Sequence, residues 1–308
     1  MDKFIKKFHG YQLEYFLQPG KWMSDAELLQ LKSDLVQINL NSGRAVNYGI
    51  FSKDISQHDI RDFFGRAALC VMRKGGEPRG FFYNLVLQER PRPVIHAGLV
   101  MIAKNDGVNL MGVSYIHLAH MQRRKYGDYF YTNISATPSI VGNFGDLVSD
   151  VWPYYSANLI KPPSKEYLGV LSLLYREYIS RYFPDDGIEI DSKRFVMRSP
   201  SKQMGFEQDP RKLSRYYKFE TNLFCTYWLD YSKGEDMIQV GKVDLKCIVR
   251  SGLYLCALIL KEKIGMLFGR REPEATVHML PIRGNQSQQP QESRAPIAEE
   301  ANGVPKVA

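Results

Sequence analysis

The sequence predicts a mixed α/β fold: a central mixed sheet flanked by helices, with a C-terminal helical extension and a disordered tail. Three observations carry this expectation. Pro93–Pro153 reads as strand, glycine turn, helix, strand and helix, the pattern of a βαβ unit. Upstream, two apolar runs, Leu69–Arg73 and Gly80–Leu87, flank the turn Lys74-Gly75-Gly76-Glu77-Pro78 and read as paired strands. Downstream, Lys165–Phe183 places Tyr167, Leu168, Val170, Leu171, Leu174, Tyr175 and Tyr178 on one helical face.

The other elements follow in order. Ser24 to Leu31 reads as an N-capped helix, with Ser24 the cap and Glu27 at the capping-box position. Arg44–Phe51 alternates and is expected as a strand, and Ser52 opens a helix to about Ala68. Gln88–Pro93 is a proline-bounded loop. Val94–Ala103 is a strand, 104–109 a turn, Leu110–Tyr126 a helix and Tyr129–Ile134 a strand. A helix is expected from Ser139 to about Asp150. Ile188–Met197 looks extended, and Asn222–Asp230 and Asp236–Val243 read as strands joined through Lys233-Gly234. Val243–Phe268 reads as one long apolar helix. From Arg270 the chain is Gln-, Pro-, Glu-, Ala- and Ser-rich and cannot bury enough apolar surface to offset its ordering entropy. The expected organisation is an N-terminal helical segment (1–43), a core (44–153), a second half of the fold on the acceptor side (154–245), a C-terminal helix (246–269) and the tail (270–308).

At 308 residues the chain can bury a substantial core. Its 41 Lys and Arg against 33 Asp and Glu leave a net charge of +8, which favours an anionic partner: a nucleotide cofactor, a lipid surface or nucleic acid. The basic residues form only small clusters (Lys3-Lys6-Lys7, Arg123-Arg124-Lys125, Arg211-Lys212-Arg215), so no nucleic-acid partner is expected. Cys70, Cys225, Cys247 and Cys256 make no CxxC pair, and they read as reduced thiols of a cytoplasmic protein. The longest apolar run, Leu253–Leu260, is less than half of a spanning helix. His96, His117 and His120 have no acidic partner at metal-ligating spacing, so no metal is expected.

The chemistry concentrates at the turn after the Val94 strand. A helix starting there offers unpaired N–H groups to an anion, usually a phosphate. Two or three such bonds, at about 1.5–3 kcal/mol each, together supply on the order of 5 kcal/mol, roughly millimolar affinity before other contacts. No GxGxxG fingerprint accompanies it, which disfavours a dinucleotide.

The element order across about Arg44–Pro153 resembles the GNAT acyltransferases, the large N-acetyltransferase superfamily. There the turn after the fourth strand reads Gln/Arg-x-x-Gly-x-Gly/Ala, and its N–H groups hold the pyrophosphate of acyl-CoA. Lys104-Asn105-Asp106-Gly107-Val108-Asn109 occupies those positions: Gly107 matches, Lys104 is a cationic stand-in, and Asn109 departs from the pattern. The resemblance implies an acyl-CoA co-substrate, with Lys104, Gly107, Val108 and Asn109 at its phosphates and Gly112 permitting close approach. It also implies fourth and fifth strands splayed to admit the pantetheine arm, with Asn133 and Ser135 hydrogen-bonding the acyl end. Acyl transfer to an amine needs a base and an acid. The resemblance points to His96 as base and to Tyr154 or Tyr155 as acid. The expected activity is acyl transfer to an amine or hydroxyl of a small-molecule or lipid-like acceptor. The alternative is a non-catalytic peripheral membrane or lipid-binding protein on the same scaffold, suggested by the basic N-terminus and the apolar Val243–Phe268 helix.

Overall fold

The computed structural model describes residues 3–8, 10–43, 45–47, 49–52, 54–103, 111–155, 162–183, 187–198, 209, 211–253 and 256. Among the described residues, ten strands form one sheet. β1 (Lys3–Phe8), β2 (Tyr11–Leu17), β3 (Ala67–Lys74), β4 (Glu77–Gln88) and β5 (Val94–Ile102) follow one another antiparallel. β6 (Tyr129–Ser135) lies parallel to β5. Beyond it the sheet continues antiparallel through β10 (Glu235–Val243), β9 (Val196–Arg198) and β8 (Glu189–Asp191). The short β7 (Ser149–Trp152) pairs with the second half of β10.

Helices cover both faces of this sheet. α1 (Asp25–Asn41), α2 (Gln57–Arg66) and α5 (Lys165–Leu174) pack on one face. α5 runs on through a π-helical turn, Tyr175–Ile179, into α6 (Ser180–Tyr182). α3 (Met111–Tyr126) and α4 (Pro138–Leu147) pack on the other face. The strand periodicity shows the division: Leu69 and Val71 of β3 join the first cluster, while Ala68, Cys70 and Met72 join the second. Each fully buried Leu, Ile or Phe contributes about 1.5–3 kcal/mol, so both faces are needed to hold the sheet.

Helix starts follow the capping rules. Ser24 and Glu27 form the expected capping box, with Glu27 accepting from the Ser24 amide at 2.8 Å. α2 begins at Gln57 because Ser56, not Ser52, caps it, its Oγ accepting from the Asp59 amide at 3.1 Å. Ser164 caps α5 in the same way.

Several expectations are corrected. The 1–43 stretch, expected as helical, begins with the β1–β2 hairpin. Charged residues interrupt its apolar pattern, but Glu14 of β2 is paired with Arg73 of β3 at 3.3 Å. Among the described residues of Arg44–Phe51 there is no strand. They include a 3-10 turn, Gly49–Phe51, that folds Ile50 and Phe51 into the core. Asn222–Asp230, read as a strand from its aromatics, lies mostly in α7 (Phe219–Trp228). Thr221, Phe224 and Cys225 are buried at helical spacing, and the Asn222 amide donates to the Tyr216 and Lys218 carbonyls at the helix start. The helix expected to reach Asp150 stops at Leu147, and β7 takes over at Ser149. Val243 ends β10, and α8 spans 245–253. The remainder of the expected long helix and the whole tail lie outside the described residues. No described helix is long and apolar enough to cross a membrane.

Candidate functional site

The sheet opens between β5 and β6. Their parallel pairing covers only Val94 with Phe130, Ile95 with Tyr131 and His96 with Thr132. From there each strand stays with its outer neighbour: β5 follows β4 to Ile102, and β6 follows β10 to Ser135. Towards their carboxyl ends the two share no described pairing, which leaves a notch in the hydrogen-bond ladder. Residues 97–102 of β5, about 20 Å of strand at ~3.3 Å per residue, have no described partner on that side.

A bulge in β5 sits where the divergence begins. Asn84 pairs with Ala97 and Phe82 with Val100, so β5 carries one extra residue around Gly98 and Leu99. Such a bulge bends a strand and increases its twist. Glycine is required here, since a Cβ on Gly98 would lie 2.1 Å from Tyr83 Cε2 and 2.8 Å from its carbonyl oxygen.

His96 closes the narrow end. It is 2 % exposed, its Nδ1 lies 2.9 Å from Thr132 Oγ1, and its ring packs tilted against Tyr178 with centroids 4.2 Å apart. Burial, only partly opposed by the Thr132 hydrogen bond, pulls its pKa down to about 3. It is therefore a neutral imidazole at physiological pH, a poor match for the expected general base.

The other expected residues are placed as follows. Asn133, on the β6 wall, donates to Gln239 Oε1 at 3.4 Å. Ser135 Oγ accepts from the Thr137 amide at 3.0 Å, in the turn between β6 and α4. Gly112 is buried in the first turn of α3. Lys104, Gly107, Val108 and Asn109 lie outside the described residues. Tyr154 donates to Asp146 Oδ1 of α4 at 3.0 Å, and Tyr155 packs on the Tyr154 ring. Asp146 also accepts from Tyr216 at 2.7 Å, Tyr217 at 3.1 Å and Lys218 at 2.7 Å. Gly142 and Gly145 make room for this hub, because a Cβ at either would collide with the Tyr216 or Tyr154 ring. Burial raises the Tyr154 hydroxyl well above its ordinary range. Its proton is committed to a structural carboxylate.

Asp236, on β10 beside the residue that follows β6, escaped the sequence reading as a site residue. Met237 pairs with Ser135, which sets Asp236 beside Ala136, the residue that follows β6. The Ala136 amide donates to the Asp236 carboxylate. The Ala136 carbonyl accepts from the Tyr231 hydroxyl at 3.1 Å. Burial pushes Asp236 up to about 7, against the opposing Ala136 hydrogen bond. The available signal was phase: Asp236 falls in register with Ile238 and Val240, on the face where a strand presents its core residues.

No protein-family model matches this chain, and no curated protein sequence matches it significantly. Solved structures similar to it include an aminoglycoside acetyltransferase from an uncultured soil metagenomic sample: 12 % identity, 38 % of this chain and 74 % of that one, TM-score 0.30. A proposed acetyltransferase from Pyrococcus horikoshii shares 12 % identity over 54 % of this chain and 43 % of its own, TM-score 0.25. An IAA acetyltransferase from Bacillus cereus shares 14 % over 50 % and 89 %, TM-score 0.26. Overlaps this partial carry no argument about activity.

Proposed function

We propose that this protein is an acyl-CoA-dependent acyltransferase that passes the acyl group to an amine or a hydroxyl. The observation that carries the reading is the β5–β6 pair, joined over three residues and then parted around a bulge. An unpaired strand edge presents N–H and C=O groups at regular spacing and takes an extended, amide-bearing chain as it would an added strand. A pantetheine arm has that chemistry. α3 follows β5 through 104–110, so its N-terminus suits the phosphates of the same ligand. α3 covers one face of the sheet. The acceptor then reaches the thioester through the notch from the other face.

A second reading, binding of an anionic amphiphile, rests on a cavity of about 790 Å³ beside α3. Phe4, Leu17, Met121 and Ile248 supply apolar walls, and Arg123 and Arg124 supply charge.

Thermal denaturation with acetyl-CoA and longer acyl-CoAs tests the first reading. Ligand at ~100 times Kd adds about 2.7 kcal/mol, a midpoint rise of roughly 5 °C for a chain of this size. No rise with any acyl length sinks the cofactor assignment. Salt-sensitive sedimentation with anionic vesicles in that case supports the second reading.

A further inference from the structure

We infer that Asp236 is the proton acceptor of this site, the carboxylate that takes the ammonium proton of an amine acceptor. The inference rests on the acyl-transfer reading above, and it gives Asp236 the role expected of His96.

The geometry supplies three arguments. First, Asp236 stands at the open end of the β6 wall, held to Ala136 where β6 ends. Second, it lies in phase with Ile238 and Val240, on the face covered by α1, α2 and α5 and opposite to α3. The β5–β6 ladder is interrupted between those faces, so a cofactor anchored at the α3 side and an acceptor on the Asp236 side would meet at that gap. Third, among the described residues no cation pairs with the carboxylate. Its neighbour Glu235 faces the other way and takes up Arg194 and Arg198. Opposite Asp236 on β9 is Met197. Tyr231 approaches from the turn before β10, but its hydroxyl is donated to Ala136. A half-buried, desolvated carboxylate with no cation among the described residues is destabilised as an anion and suits the approach of an ammonium group. Its proton affinity, matched to neutral pH, is that of a working base.

The step balances. Asp236 accepts one proton from R–NH3+, and the freed nitrogen lone pair attacks the thioester carbonyl, forming the C–N bond. The C–S bond then breaks with its electron pair on sulfur. The sulfur leaves as a thiol by taking a second proton from the acceptor nitrogen, and Asp236 returns the first proton to water.

The test uses the full chain, wild type and Asp236→Asn, with acetyl-CoA and a panel of primary amines, hydroxylamine and water as acceptors. Both proteins are expected to be stabilised equally by acetyl-CoA. The kcat/KM of the wild type is expected to rise tenfold per pH unit up to a break near 7. The variant is expected to lose 10²-fold or more in kcat with its KM for acetyl-CoA unchanged. An infrared titration follows the carboxyl band that is lost in the variant, and its midpoint is expected near 7. Turnover within threefold of wild type, an unchanged pH break in the variant, an Asp236 midpoint near 4, or no turnover with any acceptor overturns the assignment. Absence of acetyl-CoA stabilisation in the wild type instead overturns the cofactor reading beneath it.

Discussion

Glu235 and Asp236 are consecutive carboxylates at the start of β10, and the pleat sends them to opposite faces of the sheet. Both lose water, and burial alone raises the pKa of each. At Glu235 the Asp230 amide, Arg198 and Arg194 more than offset that cost, so the carboxyl sits below its ordinary value. Its side chain is 1 % exposed, with Arg198 at 2.9 Å, Arg194 at 3.1 Å and the Asp230 amide at 2.9 Å. At Asp236 a single amide opposes burial, and the carboxyl rises to about 7. Partners rather than depth decide which carboxylate is a permanent anion and which titrates. His96 extends the rule: burial has the same preference for the neutral form there, and in a base that preference lowers the pKa and silences it.

The comparison breaks most visibly at Glu235. Glu235→Ala strands two guanidinium groups and a backbone amide. Breaking a buried pair costs about 3–5 kcal/mol, and the partly exposed arginines place this case at about 3. Urea denaturation at pH 7 measures it. Glu235 has a depressed pKa, so its contribution is present above its unfolded value of 4.5 and fades as pH falls below it. A destabilisation that persists undiminished at pH 3 contradicts the ion-pair account.

Asp236→Asn should act in the opposite direction. A carboxyl raised from 3.8 to about 7 binds a proton more tightly folded than unfolded. Folding stability therefore declines as pH rises from 4 to 7 and then levels off. Asparagine keeps an acceptor for the Ala136 amide and removes the charge. The variant is expected to match wild type near pH 4 and to exceed it at pH 8 by on the order of 2 kcal/mol, the pKa difference discounted for solvent screening. A gain that does not depend on pH refutes desolvation as the cause.

Much of the fold was legible because it depends on local pattern. β3, β4 and β10 have strong apolar phase and α5 has a clean helical face, and each appears where expected. α7 was misread because its aromatics satisfy a strand pattern as readily as a helical one, and only the burial of Thr221, Phe224 and Cys225 separates them. β1 and β2 were missed because their charged residues are neutralised by distant partners such as Arg73. The site shows the same limit. Gly98 stands out within an apolar run, but its consequence, a bulge that parts β5 from β6, depends on a register set by β4 and β10. Tyr154 looked like a free acid because Asp146, its partner, also draws on Tyr216 and Lys218, some 70 residues downstream.

The smallest expected effect makes the sharpest distinction. Tyr231 touches the other side of Ala136 and is the nearest competing explanation for the altered Asp236, because its hydroxyl and that carboxylate influence each other. If burial alone raises Asp236, Tyr231→Phe leaves the pH at which stability levels off unchanged and removes only one hydrogen bond to a carbonyl, about 1 kcal/mol. If the hydroxyl holds Ala136 so that its amide meets the carboxylate, that amide drifts away. Asp236 then loses the one interaction favouring its anion, and the levelling point moves to higher pH. Stability curves of Tyr231→Phe and wild type between pH 4 and 9 separate the two. An upward shift makes Tyr231 a positioning residue for the base, and an unchanged midpoint confines it to packing the end of β6.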